Sequence, residues 1–257
     1  MADRIRRSSP AIVLFFAALA SWEVAVRALG IKGFILPAPS AIATAFSEEW
    51  PDLWRAGIGT FLSALGGLVL GSVLAFLAGL GAARWTAVRE GAMPLAIAAN
   101  SMPIIVLAPV ANAWFGLLNP FGTIAVVAVL VFFPIMINLV RGLLSAPATQ
   151  HELMHSYGAA KRTTMWKLQV PAALPYLFSA FKVAAALSLI GAIVKEYFGG
   201  PQERLGQYIT RKAGLFQFEE AWSAIVLASA FGIALYAAIV MVERRVMPWH
   251  VSVRGPR

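Results

Sequence analysis

The sequence contains no cysteine, so it can form no disulfide and offers no thiolate to a metal, and its redox compartment stays open. Charge is scarce too: 13% of positions are charged, against about 25% in an ordinary soluble domain. No G-x-x-x-x-G-K-[ST] phosphate loop occurs, so the chain has nothing to cradle the phosphates of a nucleotide and is not expected to hydrolyse ATP. Histidine appears only three times. Two of these, His151 and His155, sit four apart on one helix face, but with Glu152 alone nearby no metal set is completed. Neither a linker nor a low-complexity tract divides the chain, no inverted repeat stands out, and one membrane domain over residues 1–257 is the simplest organisation.

What the sequence has instead is apolar length. Hydrophobic residues fill 60% of it, and several runs exceed the roughly 20 residues a helix needs to cross a hydrocarbon layer. Lipid leaves no partner for free backbone groups, so such runs are helices. The expected fold is an all-α membrane protein with about six spans: 10–29, 57–82, 92–115, 120–140, 174–197 and 221–242. The segment from Met1 to Leu29 has the basic start and apolar stretch of a secretory signal. Trp22, Glu23 and Arg27 interrupt its end where a small-residue cleavage site would fall, so it reads as a retained first helix, with Glu23 and Arg27 paired on one face.

The net charge of +9 falls mostly to one side. With a cytoplasmic N-terminus, the inside holds Arg4, Arg6, Arg7, Arg84, Arg89, Arg141, Lys161, Arg162, Lys167, Arg244, Arg245, Arg254 and Arg257, whereas Lys32, Arg55, Arg204, Arg211 and Lys212 lie outside. That bias predicts both termini in the cytoplasm and accounts for the basic balance without a nucleic acid. Residues 33–51, with Pro37, Pro39 and Pro51, read as an outer excursion ending in an interfacial helix around Ala41 to Trp50.

Ser63, Gly67, Gly71, Ala75 and Gly79 recur every four residues in the second span, a stripe that lets another helix approach closely. Pro94, Pro103 and Pro109 break the third span and Pro134 the fourth. Asn100 and Ser101 stand just before Pro103 and are candidates to line a path, with interhelical hydrogen bonding as the structural alternative. Lys182, about two turns into the fifth span, is a candidate path residue because a charge there is costly; Ser188 lies on roughly the same side, and snorkelling is the alternative for the lysine. Lys195 and Glu196, near the outer end, suggest a gate, a docking pair or an interfacial ion pair.

Between the fourth and fifth spans, residues 141–173 are too polar to cross and too patterned for a mere loop. Pro147 suits a first helical turn, Leu153, Met154 and Tyr157 offer an apolar face, and Gly158 is placed to end the helix in a left-handed cap. A second short helix is expected through Met165, Trp166 and Leu168 to Pro171. Such a helix suits a groove on a partner or the membrane surface, and the residues alone leave both open.

The run ELMHSYGAAKRTTMWKLQVPAALPY resembles the cytoplasmic loop of binding-protein-dependent ABC importer permeases. There a Glu-Ala-Ala is followed, after three residues, by glycine and about thirteen residues later by proline. Glu152, Gly158 and Pro171 stand at those places, with Leu153 and Met154 for the alanines and Ala160 for a frequent serine. FILPAPSAI, NSMPIIVLAPVANAWFG, FFPIMINLVRGL and ERRVMPWH extend the similarity over nearly the whole chain, most like the branch importing nitrate, sulfonates, taurine or pyrimidine precursors of thiamine.

The resemblance implies a permease of the type I importer fold in the bacterial plasma membrane, two copies around a two-fold axis, two ATP-binding cassette subunits that alone bind ATP, and an extracytoplasmic solute-binding protein. It also implies that Glu152, Leu153, Met154, Tyr157, Gly158 and Ala159 couple the chain to the ATPase, with no cofactor of its own. A secondary transporter or channel driven by an ion gradient is the rival. It would use relay carboxylates near the midplane, and none can be placed there from the sequence.

Overall fold

In the computed structural model the described residues are Ala2–Trp249, with the side chains of residues 2–9, 11 and 104 left aside. Of the expected inner basic residues, Arg254 and Arg257 lie outside that range, as do the side chains of Arg4, Arg6 and Arg7. The described residues form helices and no strand. In order these are α1 (Ala2–Ala28), α2 (Pro39–Glu48), α3 (Trp50–Arg84), α4 (Thr86–Asn100), α5 (Ile104–Phe115) and α6 (Pro120–Leu143), then α7 (Ala148–Ser156), α8 (Lys161–Thr164), α9 (Val170–Tyr197), α10 (Leu205–Gly214) and α11 (Phe218–Val246).

Among the described residues four helical stretches are long and apolar enough to cross a membrane: α3, α6, the stretch Lys161–Tyr197 and α11. Helices α4 and α5 together would make a fifth, bent by 100° at their junction. The bend falls where α4 stops at Asn100 and Pro103 caps α5 in an extended conformation, φ −63° and ψ 120°. A proline supplies no N–H to continue the preceding turn and disfavours helical geometry in the residue before it, so the span breaks there. α1 runs over the remaining expected span but is not among the stretches that are long and apolar enough, so the described residues give four spans, or five with the bent pair, against the six expected. α3 begins at Trp50, seven residues earlier than expected.

The core is a layer of α3, α6 and α9. On α6, Val127, Val131 and Ile135 are fully buried, as are Ala184, Ala185 and Ala192 on α9. Small residues set the α3–α6 distance: Ser63, Gly67, Gly71, Ala75 and Gly79 are all buried. A methyl group on Gly71 would lie 2.5 Å from the Ala128 carbonyl oxygen, and one on Gly79 would lie 2.8 Å from Leu139 Cδ2. Without an added hydrophobic drive between helices in lipid, such backbone proximity supplies the packing contact.

The expected second short helix of the 141–173 segment is not separate. Residues 161–197 run on as one helix, widened to a π turn over Met165–Gln169. Pro171 gives the reason. Its ring crowds the carbonyl four residues back and brings no N–H to it, and a wider turn relieves that clash without ending the helix.

Candidate functional site

Helix α7 shares a cavity with the ends of α3 and of the 161–197 helix, and none of its residues is buried. Its end is built as the glycine predicts. Gly158 has φ +64°, its N–H donates to His155 O at 2.9 Å, and the Ala159 N–H reaches back to Met154 O at 3.0 Å. This pair of bonds closes the last turn on a left-handed residue. The helix has two faces. Leu153 is 54% exposed and Tyr157 79% exposed, four residues apart on one side. His151 and His155, about 200° round the helix from Leu153, line a cavity with Arg84 at the end of α3. The described residues hold no cluster of three or more metal-ligating side chains.

The four residues read as path candidates occupy three different environments. Asn100 lines a cavity of about 130 Å³ between the α4–α5 bend and α6, and Ser101 Oγ donates to Ile97 O at 3.3 Å within α4. Ser188 is fully buried, its hydroxyl donating to Ala185 O at 2.9 Å. Lys182 is not the isolated charge the sequence suggests: its Nζ lies 2.6 Å from Glu243 Oε2 on α11. Glu243 belongs to the last turns of α11, beside Arg244 and Arg245, so the pair sits near the end of that span.

At the opposite end of α9, Lys195 and Glu196 do not pair with each other as an interfacial ion pair would. Both are fully buried. Lys195 Nζ donates to Gly199 O at 3.1 Å, which helps to fix a backbone turn at φ +150°. Glu196 Oε2 accepts from Thr60 Oγ1 at 2.7 Å and from the Gly206 N–H at 3.3 Å, and Thr60 Oγ1 in turn accepts from the Leu205 N–H at 2.9 Å. Gly206 permits this approach, since a methyl group there would lie 2.6 Å from the Ile193 carbonyl oxygen. Arg204 Nη1 reaches Ser63 Oγ at 3.3 Å. Farther out, Tyr208 donates to Glu49 at 3.2 Å, and burial together with that carboxylate pushes its phenol well up. In the last turn of α10, Lys212 also meets Glu49, at 3.3 Å. A polar knot thus ties α9 and α10 to α3. The sequence marks its charges but not their partners.

Two comparisons bear on what such an arrangement serves. The family of binding-protein-dependent transport system inner membrane components matches residues 67–248. The chain belongs to this family. It is 32% identical to the formylaminopyrimidine transport permease of Halalkalibacterium halodurans, over 95% of this chain and 98% of that one. The riboflavin transport system permease of Chloroflexus aurantiacus is 29% identical, covering 91% of this chain and 87% of its own length. The nitrate import permease of Leptolyngbya laminosa is 24% identical, over 95% and 89% respectively. The chain is accordingly an ABC importer permease for small solutes, a multi-pass protein of the inner membrane with the type I fold.

In this permease the matched region begins at Gly67 and takes in the small-residue face of α3 from Gly67 to Gly79, α7, and Lys182, Lys195 and Glu196 on α9. Three roles escaped the sequence reading: Glu243 as the partner of Lys182, Thr60 as the hub of the knot at the far end of α9, and Arg204 as its rim. The one signal for Glu243 was an acidic residue at the end of an apolar span, where a run of arginines concealed it.

Proposed function

We propose that the permease works as a homodimer forming one translocation path, driven by two ATP-binding cassette subunits that dock on α7 and supplied by an extracytoplasmic solute-binding protein. Both termini lie in the cytoplasm, which puts α7 on the ATPase side; the bias of Arg84, Arg89, Arg141, Lys161, Arg162, Lys167, Arg244 and Arg245 to one end supports this. The observation that carries the reading is the outward face of α7: Leu153 and Tyr157 stand exposed at helical spacing on a helix with no buried residue of its own. Apolar anchors at that spacing suit a groove on a partner.

Glu152, Leu153, Met154, Tyr157, Gly158 and Ala159 form the docking unit. The glycine cap joins it through residues 159–160 to the helix Lys161–Tyr197, about 55 Å long at 1.5 Å per residue. Force taken up at α7 therefore reaches a stiff span rather than a slack loop. The permease itself binds no cofactor, and ATP is held by the partner. Among small solutes, a pyrimidine of the thiamine-precursor class is the first cargo to assay, followed by sulfonates, taurine and nitrate.

The test is co-purification of the permease with its ATPase and solute uptake in reconstituted vesicles. Leu153→Asp combined with Tyr157→Ala is expected to abolish ATPase recovery and uptake while leaving the permease folded. Full recovery with unchanged uptake would overturn the docking role, and uphill accumulation by the permease without any ATPase would overturn the whole reading.

A further inference from the structure

The inner side of α7 faces a cavity of about 590 Å³ whose charged lining the coupling role does not use, within the 300–1,000 Å³ typical of small-molecule sites. Its polar wall is basic: Arg84 from the last turn of α3, Lys161 and Arg162 from the first turn of the 161–197 helix, and the imidazoles of His151 and His155. No carboxylate lines it. None of these five side chains forms an ion pair with another described residue, although the molecule pairs its lysines and arginines elsewhere. Three guanidinium or ammonium groups lining one cavity, with no acid among the lining residues, repel one another unless an anion joins them.

The other wall is apolar, made by Leu80, Ala83 and Met165. It continues along α3 toward Leu77 and Val73, which are 66% and 51% exposed on a membrane-spanning helix. Trp85 and Trp166, next in sequence to the lining residues Arg84 and Met165, are 58% and 62% exposed, and tryptophan favours the headgroup level of a bilayer. An anion that meets this cavity thus finds positive charge on one side and a bilayer-facing apolar surface on the other.

We propose that the cavity binds the phosphate of an acidic phospholipid, whose acyl chains lie along the α3 face. Basic pockets between membrane helices at the cytoplasmic surface take such headgroups. Inorganic phosphate shares the anion chemistry but has no use for the Leu80–Ala83 wall. Because His151 and His155 turn away from Leu153 and Tyr157, the lipid and the ATPase would occupy opposite faces of one short helix, and the lipid would brace α7 from within.

The experiment uses the full chain in nanodiscs of mixed phosphatidylglycerol and phosphatidylcholine, with retained lipid read by native mass spectrometry; no ATPase takes part, so its outcome is separate from that of the docking test. The wild type is expected to retain phosphatidylglycerol in excess, with inorganic phosphate unable to displace it. Arg84→Gln with Arg162→Gln is expected to lower that retention about 25-fold, each basic residue being worth about five-fold. The control Arg89→Gln with Lys167→Gln removes the same charge outside the cavity and is expected to leave retention unchanged. No enrichment in the wild type, equal loss in the control, or displacement by inorganic phosphate would each overturn the proposal. The wild-type enrichment and displacement measurements stand even if the double variant does not fold.

Discussion

Replacing Lys182 by methionine leaves Glu243 with a carboxylate only 6% exposed and no cation within reach, whereas replacing Glu243 by leucine leaves an ammonium that is 23% exposed at the end of a flexible stem. The two changes break the same 2.6 Å contact but should not have the same effect. Stranding a buried charge costs about 3–5 kcal/mol, and Glu243 has little route to water. Lys182 can turn its head toward the interface, so its loss of partner should cost only about 1–2 kcal/mol, the worth of one charged hydrogen bond. Making both changes removes the stranded charge altogether, and a well-packed apolar pair commonly restores stability to within about 1 kcal/mol of the ion pair. Chemical unfolding in mixed micelles, followed by tryptophan fluorescence, measures all four species in one cycle. Equal destabilisation by the two single changes, or a double variant as unstable as their sum, would refute the reasoning. The same double variant separates two readings of Lys182: normal uptake would show that its charge serves the α9–α11 contact, whereas a stable protein with uptake lost would return it to the path as a contact for anionic cargo.

Glycine substitutions at two places on α3, five residues apart, test the packing stripe. Gly71→Ala puts a methyl group 2.5 Å from the Ala128 carbonyl oxygen, which belongs to backbone and cannot turn aside, whereas Gly66→Ala meets only Ile124 side-chain atoms at 3.5 Å. Gly71→Ala is expected to unfold about 1–3 kcal/mol more easily than Gly66→Ala, and equal stability in the same assay would show that α3 and α6 do not approach as closely as described. Gly158→Ala meets no neighbour within 4 Å, so its only penalty is the left-handed backbone at φ +64°, about 1–2 kcal/mol. It should speed amide hydrogen exchange in residues 148–158 without moving global stability, and Gly158→Asn should recover part of the protection.

How much of this was legible in the chain depends on whether a signal is local. The four-residue stripe on α3 and the glycine that ends α7 are each properties of one helix, and their outcomes, the burial of Gly67 to Gly79 and the +64° turn at Gly158, follow from spacing alone. Of the prolines expected to break the third and fourth spans, Pro103 alone stands at a break, whereas Pro94, Pro109 and Pro134 lie inside α4, α5 and α6. The continuity of residues 161–197 was not legible, because a proline in a helix pattern signals a stop or a widened turn equally well, and only packing of α9 against α6 makes the second worth its strain. The charges were the least legible. Lys182 finds its partner 61 positions away at Glu243, and Glu196 finds Thr60 136 positions back, since neighbours at one depth in a bundle come from different helices.

Those distant pairs also give α9 a mechanical character that no single motif predicts. Lys182 and Lys195 are 13 residues apart in the sequence, about 20 Å along the helix. Near one of these points α9 is held to α11 by the Lys182–Glu243 contact, and near the other to α3 and α10 by the Glu196–Thr60–Leu205 knot. Between them the buried residues of α9 are Ala184, Ala185, Ser188, Leu189, Gly191 and Ala192, and the Ser188 hydroxyl bonds only within the helix, to Ala185 O. A helix pinned at two levels and smooth between them tilts as a rod rather than bending in its middle. A displacement imposed at Lys161, next to the glycine cap of α7, would therefore be felt at Glu196, and cutting either pin while leaving the helix folded should weaken that transmission without touching the ATPase contact itself.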